Sequence, residues 1–245
     1  MDIWKYFDIT HRDHVVCNPI SVEKVDELVR LFDLPAGARV LDIACGKAEI
    51  LVRTAEQYGC TGIGVDISPF AVRDARARAD QRVPGKLEFV EQDGAAFEGE
   101  AGSFDLAMCV GASWTFGGHA ATTAALARLV RPGGLVVAGE PFWRQEPPPE
   151  YLAASGMGRD AFGSHAGNVA AGVEQGLTPL YAVASSDDDW DRYQGLTWRA
   201  AERWAAANPG DPDREAVLAR VRAARDSYLG WERELFGWAI YVWSR

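Results

Sequence analysis

One segment near residue 40 limits what this chain can fold into more than any other. Residues 40–43 are apolar apart from Asp42, residues 44–48 form a turn of mostly small residues around Gly46, and helix-forming residues follow. This order predicts a buried strand, a tight turn and the start of a helix. An acid at the strand end and an incomplete glycine pattern suit a ligand phosphate poorly, because phosphate needs close backbone approach. They suit a ligand with a cationic centre and an amino group.

Strand-like and helical patterns alternate along the chain. Strand-like runs cover 40–44, 61–65, 87–91, 106–110 and 134–139, and two more cover 180–185 and 237–243. Helical patterns cover 48–58, 69–82 and 119–130. Alternating strands and helices with short connections favour a parallel sheet with helices on both faces. We therefore predict an α/β fold with a doubly wound, mostly parallel seven-stranded sheet, whose last strand is antiparallel.

The 245 residues are predicted to form one domain, 1–245. Its parts are an N-terminal segment, the core, a helical insertion and the last strand, at 1–20, 21–186, 187–233 and 234–245. Ser21 is the predicted N-cap of the first core helix. The insertion carries several aromatic side chains, which either pack a helical hairpin onto the sheet or roof a substrate pocket. Its acidic run 187–191 predicts a solvated loop, with a helix beginning at Trp190.

Composition and charge narrow the class of protein. The net charge of −10 argues against nucleic-acid partners, which require a basic face. No apolar run approaches the ~20 residues that cross a bilayer, and the first residues lack the apolar centre of a secretion signal. The four cysteines have neither a paired nor a metal-like spacing, which predicts reduced thiols and no metal site. We expect a soluble cytoplasmic protein that acts on a small molecule.

Polar or small residues follow four of the predicted strands. In open parallel sheets, ligands bind outside the carboxyl ends of the strands. Asp42 and its turn close the first strand, and Asp66 closes the second, where an acid can accept both ribose hydroxyls. Asp93 follows the third strand, where its carboxylate can accept from an adenine amino group. Residues 109–112 place small side chains beside the ligand at the end of the fourth.

In this order and spacing, residues 35–145 resemble the class I S-adenosylmethionine-dependent methyltransferases. The resemblance implies a Rossmann-like methyltransferase fold and S-adenosylmethionine as cofactor. In that family the residues matching Asp42 and its turn hold the methionine portion, the acid matching Asp66 binds ribose, and the acid matching Asp93 binds the adenine amino group. The predicted cofactor contacts are Asp42, Ala44, Gly46, Ala48, Asp66, Ile67, Asp93, Gly94, Cys109 and Gly111.

The turn departs from the family pattern, since Ala44 and Ala48 stand where glycines are usual. Alanine adopts positive φ poorly, so the turn is expected to be slightly shifted. The missing glycines also weaken the alternative of an NAD-dependent oxidoreductase, for which the few lysines supply no Tyr–Lys pair. Another alternative, a protein that binds the cofactor without catalysis as a sensor or partner, stays open.

The segments 14–19, 111–118 and 139–144 are similar to those of a bacterial small-molecule branch of the family that resembles quinone methyltransferases. The resemblance implies that the N-terminal segment is a lid over the cofactor. It also implies methyl transfer to an O, N, S or C atom of a small acceptor by in-line displacement, which depends mostly on alignment. The Asn-Pro-Pro-Tyr-type motif of enzymes that methylate nucleobase or amide nitrogens is absent.

Three side chains are predicted to take part in catalysis. His14 and His119 are candidate bases, and Glu140 could accept a proton or pair with a substrate cation. The structural alternatives are a lid histidine bonded to backbone, a solvent-facing histidine at a helix start, and a salt bridge. Aromatic side chains that could contact a planar substrate, or pack in the core instead, are Trp114, Trp143, Trp190 and Tyr193.

Overall fold

A computed structural model describes all of residues 1–245. The strands are β1 Arg39–Ile43, β2 Thr61–Asp66, β3 Leu87–Glu91, β4 Phe104–Val110, β5 Val130–Trp143, β6 Thr178–Ala184 and β7 Phe236–Ser244. The helices are α1 Ile3–Thr10, α2 Val22–Arg30, α3 Glu49–Tyr58, α4 Pro69–Arg82, α5 His119–Leu129, α6 Pro149–Ser155, α7 His165–Glu174, α8 Asp187–Ala207 and α9 Arg214–Ser227, with a short final helix α10 Arg233–Leu235. None of these helices combines the length and the apolar composition that a membrane span requires.

The seven strands form one sheet in the order β3-β2-β1-β4-β5-β7-β6. Neighbouring strands from β3 to β5 are parallel, and β7 is antiparallel to both β5 and β6. The predicted doubly wound sheet with an antiparallel last strand is therefore confirmed. The chain order reverses between β1 and β4, which is the position where open parallel sheets bind ligands.

Strand alternation sorts side chains between two apolar layers. On β5, Leu135 and Val137 face the layer that contains α2 and α3, whereas Val136 and Ala138 face the layer that contains α5. This follows from the two-residue period of a strand. The parity of a residue on β1, β4 or β5 therefore decides which side of the sheet it reaches.

Several helix boundaries differ from the sequence prediction. Ser21 caps α2 as predicted, through its hydroxyl and the Lys24 amide. The helix predicted to begin at Trp190 begins at Asp187 instead, because Ser186 and Asp189 form a reciprocal capping box. The helices α1, α6 and α7 were not predicted.

The insertion packs against the N-terminal helix. Tyr6 and Ile9 of α1 share an apolar cluster with Trp204 of α8 and Leu218 of α9. Lys5 also pairs with Asp211 and Asp213 between α8 and α9, at 2.9 and 2.8 Å. The N-terminal helix and the insertion are thus joined above the carboxyl ends of the strands.

Candidate functional site

A cavity of about 390 Å³ lies at the carboxyl ends of β1, β2 and β4. Its floor comes from the β1–α3 turn and the residues that follow β2 and β4. One face of α1 and the first turns of α8 form its cover. Predicted site residues on its wall are Asp42, Ala44, Gly46, Ala48, Asp66, Ile67, Gly111, Trp114, Trp190 and Tyr193.

Asp42 is a buried carboxylate without a protein partner. It is 4% exposed, lies on the cavity wall and accepts no hydrogen bond from the protein. Burial, with the nearby Asp66 carboxylate, raises its pKa well above the usual value. An unpaired buried carboxylate is costly unless a cation compensates it, so this end of the cavity fits a cationic ligand group.

Asp66 holds the β1–α3 turn to the end of β2. Its Oδ2 accepts from the Gly46 amide and its Oδ1 from the Ser68 amide, both at 2.8 Å. Burial raises the pKa of Asp66, and these amide hydrogen bonds oppose the rise. The carboxylate therefore fixes the turn and still faces the cavity, where its remaining lone pairs can accept from ligand hydroxyls.

The two alanines of the turn adopt the backbone conformation that glycine would. Ala44 and Ala48 both have φ of 56°, and Gly46 between them has φ of 54°. Both alanines thus occupy left-handed positions and bear a strain of about 1–2 kcal/mol per residue.

Gly111 lines the cavity, and its lack of a side chain also leaves room for the N-terminal segment. A Cβ at this position would lie 2.0 Å from Oδ1 of Asn18, and φ is +80°. Asn18 also donates from Nδ2 to the Val110 carbonyl, at 3.2 Å. The segment that precedes α2 is thus docked directly onto the end of β4.

The predicted Tyr193 lies on the cavity wall together with His11, which was not among the predicted site residues. His11 of α1 and Tyr193 of α8 both line the cavity, and Nε2 of His11 lies 2.8 Å from the Tyr193 hydroxyl. The helical spacing i, i+3, i+4, i+7 could have identified the α1 face of the cavity, which consists of Trp4, Phe7, Asp8 and His11.

The predicted base His14 lies beside this pair and not on the cavity wall. It is buried, and its Nε2 lies 2.9 Å from the Tyr193 carbonyl. Its ring contacts the Tyr193 ring edge-on, with centroids 4.8 Å apart. This arrangement matches the alternative of a histidine bonded to backbone.

Glu140 and His119 require a correction, because they lie on the other side of the sheet. Glu140 has the parity of Val136 and Ala138 on β5, whereas its neighbour Pro141 lines the cavity. His119 packs edge-on against Tyr241 in the same layer and bonds the Asn168 carbonyl at 3.0 Å.

The Glu140–His119 contact is not a salt bridge. Burial lowers the pKa of His119 and raises that of Glu140 to about 7. Nδ1 of His119 and Oε2 of Glu140 are 3.9 Å apart, too far for a hydrogen bond, and neither atom has another partner.

Four further predicted contacts lie away from the cavity wall. Cys109 has the parity of the α5 layer and contacts the Ala112 carbonyl. Asp93 is exposed and accepts a hydrogen bond from the Ala95 amide at 2.9 Å, as a cap of a short turn, while Gly94 packs against Ile43.

Trp143, predicted to contact the substrate, does not line the cavity, because β5 continues past it. It is buried, stacks on Phe236 and donates to the Arg159 carbonyl.

Aromatic side chains from different elements complete the wall. Trp114 follows β4 and is 73% exposed, while Trp190 and Tyr193 come from α8 and Trp238 from β7. Within the insertion, Trp190 and Tyr193 therefore line the cavity, whereas Trp204 packs in the cluster with α1.

Comparisons with known proteins agree with this geometry. The family model of a methyltransferase domain matches residues 40–134. The uncharacterized protein YjhP of Escherichia coli strain K12 is 35% identical, over 99% of this chain and 98% of its own length. The ubiquinone biosynthesis O-methyltransferase of Thiobacillus denitrificans is 35% identical over 49% of each chain.

A solved structure extends the likeness to the whole fold and to the ligand. The S-adenosylmethionine-dependent methyltransferase of Geobacter sulfurreducens, in complex with S-adenosylhomocysteine, superposes with a TM-score of 0.92. It is 33% identical and covers 100% of this chain and 99% of its own. The unpaired Asp42 carboxylate fits the cationic groups of the methyl donor. The chain therefore belongs to the S-adenosylmethionine-dependent methyltransferases, and S-adenosylmethionine is its cofactor.

Proposed function

We propose that the protein transfers a methyl group to a small-molecule acceptor held against the aromatic part of the cavity wall. One observation carries the proposal: a single cavity joins the acids at the ends of β1 and β2 to aromatic rings from α1, α8 and β7. The bound cofactor supplies an electrophilic methyl group on a sulfonium. The acids can hold its amino and ribose portions, which leaves the aromatic wall for a second molecule.

Alignment is the main contribution expected from the protein. In-line displacement at a methyl carbon needs the attacking atom placed opposite the leaving sulfur, and such positioning supplies a large part of the rate. Trp190 and Tyr193 lie one helical turn apart on α8, and their rings meet edge-on with centroids 6.3 Å apart. Such a wall suits a planar, largely apolar acceptor.

Oxygen is the acceptor atom that we propose. The Thiobacillus denitrificans relative is named as an O-methyltransferase, and it is 35% identical to this chain over 49% of its length. The wall also offers a neutral hydroxyl, that of Tyr193, which suits a polar group on an otherwise apolar acceptor.

The test is a methyl-transfer assay with a panel of phenols, amines and thiols. S-adenosylhomocysteine release and methylated product would be measured by mass spectrometry, with cofactor binding measured calorimetrically and NAD as the negative ligand. We expect methylation of at least one hydroxylated aromatic compound. Tight cofactor binding without turnover on any compound would support instead a protein that binds the cofactor without catalysis.

Asp42→Asn is the matched variant, because it keeps the shape of the side chain and removes its charge. We expect it to weaken cofactor binding and to lower turnover together. If turnover persisted at full cofactor affinity, Asp42 would not be a cofactor contact.

A further inference from the structure

A chain of hydrogen bonds runs from the backbone of α1 to the cavity wall. The Thr10 hydroxyl donates to the Tyr6 carbonyl at 2.9 Å, and Nδ1 of His11 lies 3.1 Å from the Thr10 oxygen. Nε2 of His11 lies 2.8 Å from the Tyr193 hydroxyl. Since His11 and Tyr193 both line the cavity, the last bond of this chain lies at its wall.

Once the Thr10–Tyr6 hydrogen bond is known, the donor and the acceptor of each later hydrogen bond follow. The Thr10 hydroxyl has one proton, which the Tyr6 carbonyl accepts, so the Thr10 oxygen accepts from Nδ1–H of His11. A neutral imidazole with its proton on Nδ1 has an acceptor at Nε2. The Tyr193 hydroxyl therefore donates its only proton to His11.

The Tyr193 oxygen consequently has lone pairs and no proton for a ligand. No other protein group bonds this oxygen. The backbone of Tyr193 is held as well, because its carbonyl accepts from Nε2 of His14 at 2.9 Å and from the Thr197 hydroxyl at 3.2 Å. Two histidines from the N-terminal segment thus fix both the position and the polarity of one hydroxyl on α8.

We propose that Tyr193 contacts the methyl acceptor and selects molecules with an O–H or N–H group, which donates to the Tyr193 oxygen. Thr10, His11 and His14 are positioning residues that act through Tyr193. The inference rests on the proposed function and narrows it to acceptors with a hydrogen-bond donor on an aromatic body.

Charge agrees with this assignment. Burial lowers the pKa of His11 to about 3, and burial raises that of Tyr193. Both groups stay neutral around neutral pH, so the polarity of the hydroxyl does not change there. A histidine with so low a pKa is a weak base, which favours recognition over proton abstraction as the role of the pair.

The experiment compares ligands that differ in one donor. Phenol and anisole, and 2-naphthol and 2-methoxynaphthalene, would be titrated into the protein saturated with S-adenosylhomocysteine, and affinities measured by ligand-observed NMR. We expect the wild type to bind each hydroxylated member roughly two- to tenfold more tightly than its methyl ether, the range of one neutral hydrogen bond.

Tyr193→Phe should abolish the preference and leave ether affinity unchanged, since the ring is kept. His11→Phe should reduce it, because the Tyr193 proton is then free to turn toward the ligand. Tyr181→Phe is the matched control, since Tyr181 lies on β6, bonds Glu27 and does not line the cavity; it should keep the full preference.

The outcomes separate the two proposals. A preference that survives in Tyr193→Phe, or no preference in the wild type across both pairs, overturns the assignment of Tyr193. Equal losses for hydroxylated and ether ligands would make Tyr193 only a wall residue and also overturn it. Failure of the wild type to bind S-adenosylhomocysteine would instead overturn the proposed function.

Discussion

Replacing Glu140 with glutamine should stabilise the protein at neutral and alkaline pH. Glu140 is 5% exposed, and its Oε2 has no hydrogen-bond partner. The facing Nδ1 of His119, 3.9 Å away, belongs to an imidazole that burial keeps neutral, so no positive charge compensates the carboxylate. Glutamine has nearly the same shape and removes the charge.

The magnitude follows from the pKa. Burial raises the pKa of Glu140 from 4.5 to about 7, and a contact with Ser113 opposes the rise. Between these values the folded state binds more protons than the unfolded state, so the free energy of unfolding falls as the pH rises. At about 1.36 kcal/mol per pKa unit, the loss amounts to about 3 kcal/mol between pH 4.5 and pH 8. Above that range the loss is complete.

The assay is urea denaturation of wild type and Glu140→Gln at several pH values between 5 and 9, without cofactor. We expect the difference in unfolding free energy to grow with pH and to level off at about 3 kcal/mol in favour of the variant. Cofactor affinity should be unchanged, because Glu140 faces the α5 layer. A pH-independent difference, or a destabilised variant at pH 8, would refute the assignment of a buried, uncompensated carboxylate.

Three further substitutions test the cavity and its surroundings. Asp42→Asn should weaken S-adenosylmethionine binding by roughly ten- to a hundredfold in calorimetry, through a lost charge-assisted hydrogen bond, yet raise the stability of the free protein near neutral pH. Ala44→Gly should stabilise the protein by up to about 1 kcal/mol in denaturant melts, since relief of left-handed strain exceeds the entropy cost of glycine. The control is Ala77→Gly, at a solvent-exposed position in the middle of α4, which should destabilise the protein by about 1 kcal/mol. If both substitutions changed the stability in the same direction, the strain argument would be contradicted. Trp143→Ala should cost about 3–5 kcal/mol of stability without changing cofactor affinity. A loss of ligand binding without a loss of stability would show instead that Trp143 contacts a ligand.

The sequence was informative where strand ends carry polar residues. Asp42 and Asp66 could be placed because an acid that follows a buried apolar strand often lies at the shared edge where parallel strands end and ligands bind. Asp93 shows the limit of that argument. An acid after a strand also caps turns, and Asp93 bonds the Ala95 amide as such a cap.

Errors of face arose from the two-residue period of strands. Glu140 and Cys109 each stand next to a strand residue that lines the cavity, Pro141 and Val110, but each is one residue out of phase with the cavity side. Periodicity alone could not assign the phase, because both faces of a parallel sheet are apolar and buried. Tertiary packing of α5 and α7 against one face decided it.

The N-terminal helix was missed for a different reason. Residues 3–10 mix aromatic and charged side chains, and no apolar run in this segment predicts a helix. One face of this helix lines the cavity and another packs against the insertion. The contact between His11 and Tyr193 could not be predicted, because the two residues are remote in sequence and nothing local specifies such a contact.

Buried carboxylates on opposite sides of the sheet separate ligand binding from intrinsic stability. Asp42 opens onto the cofactor cavity, so a bound cation can compensate its charge, whereas Glu140 has no access to that ligand. Binding to the folded state alone adds stability by mass action. Because the cation prefers ionised Asp42, the stabilisation by S-adenosylmethionine should grow as the pH rises through the raised pKa of Asp42. The fall in stability with rising pH that Glu140 causes should persist in the complex, because Glu140 lies on the face of the sheet opposite the cofactor cavity.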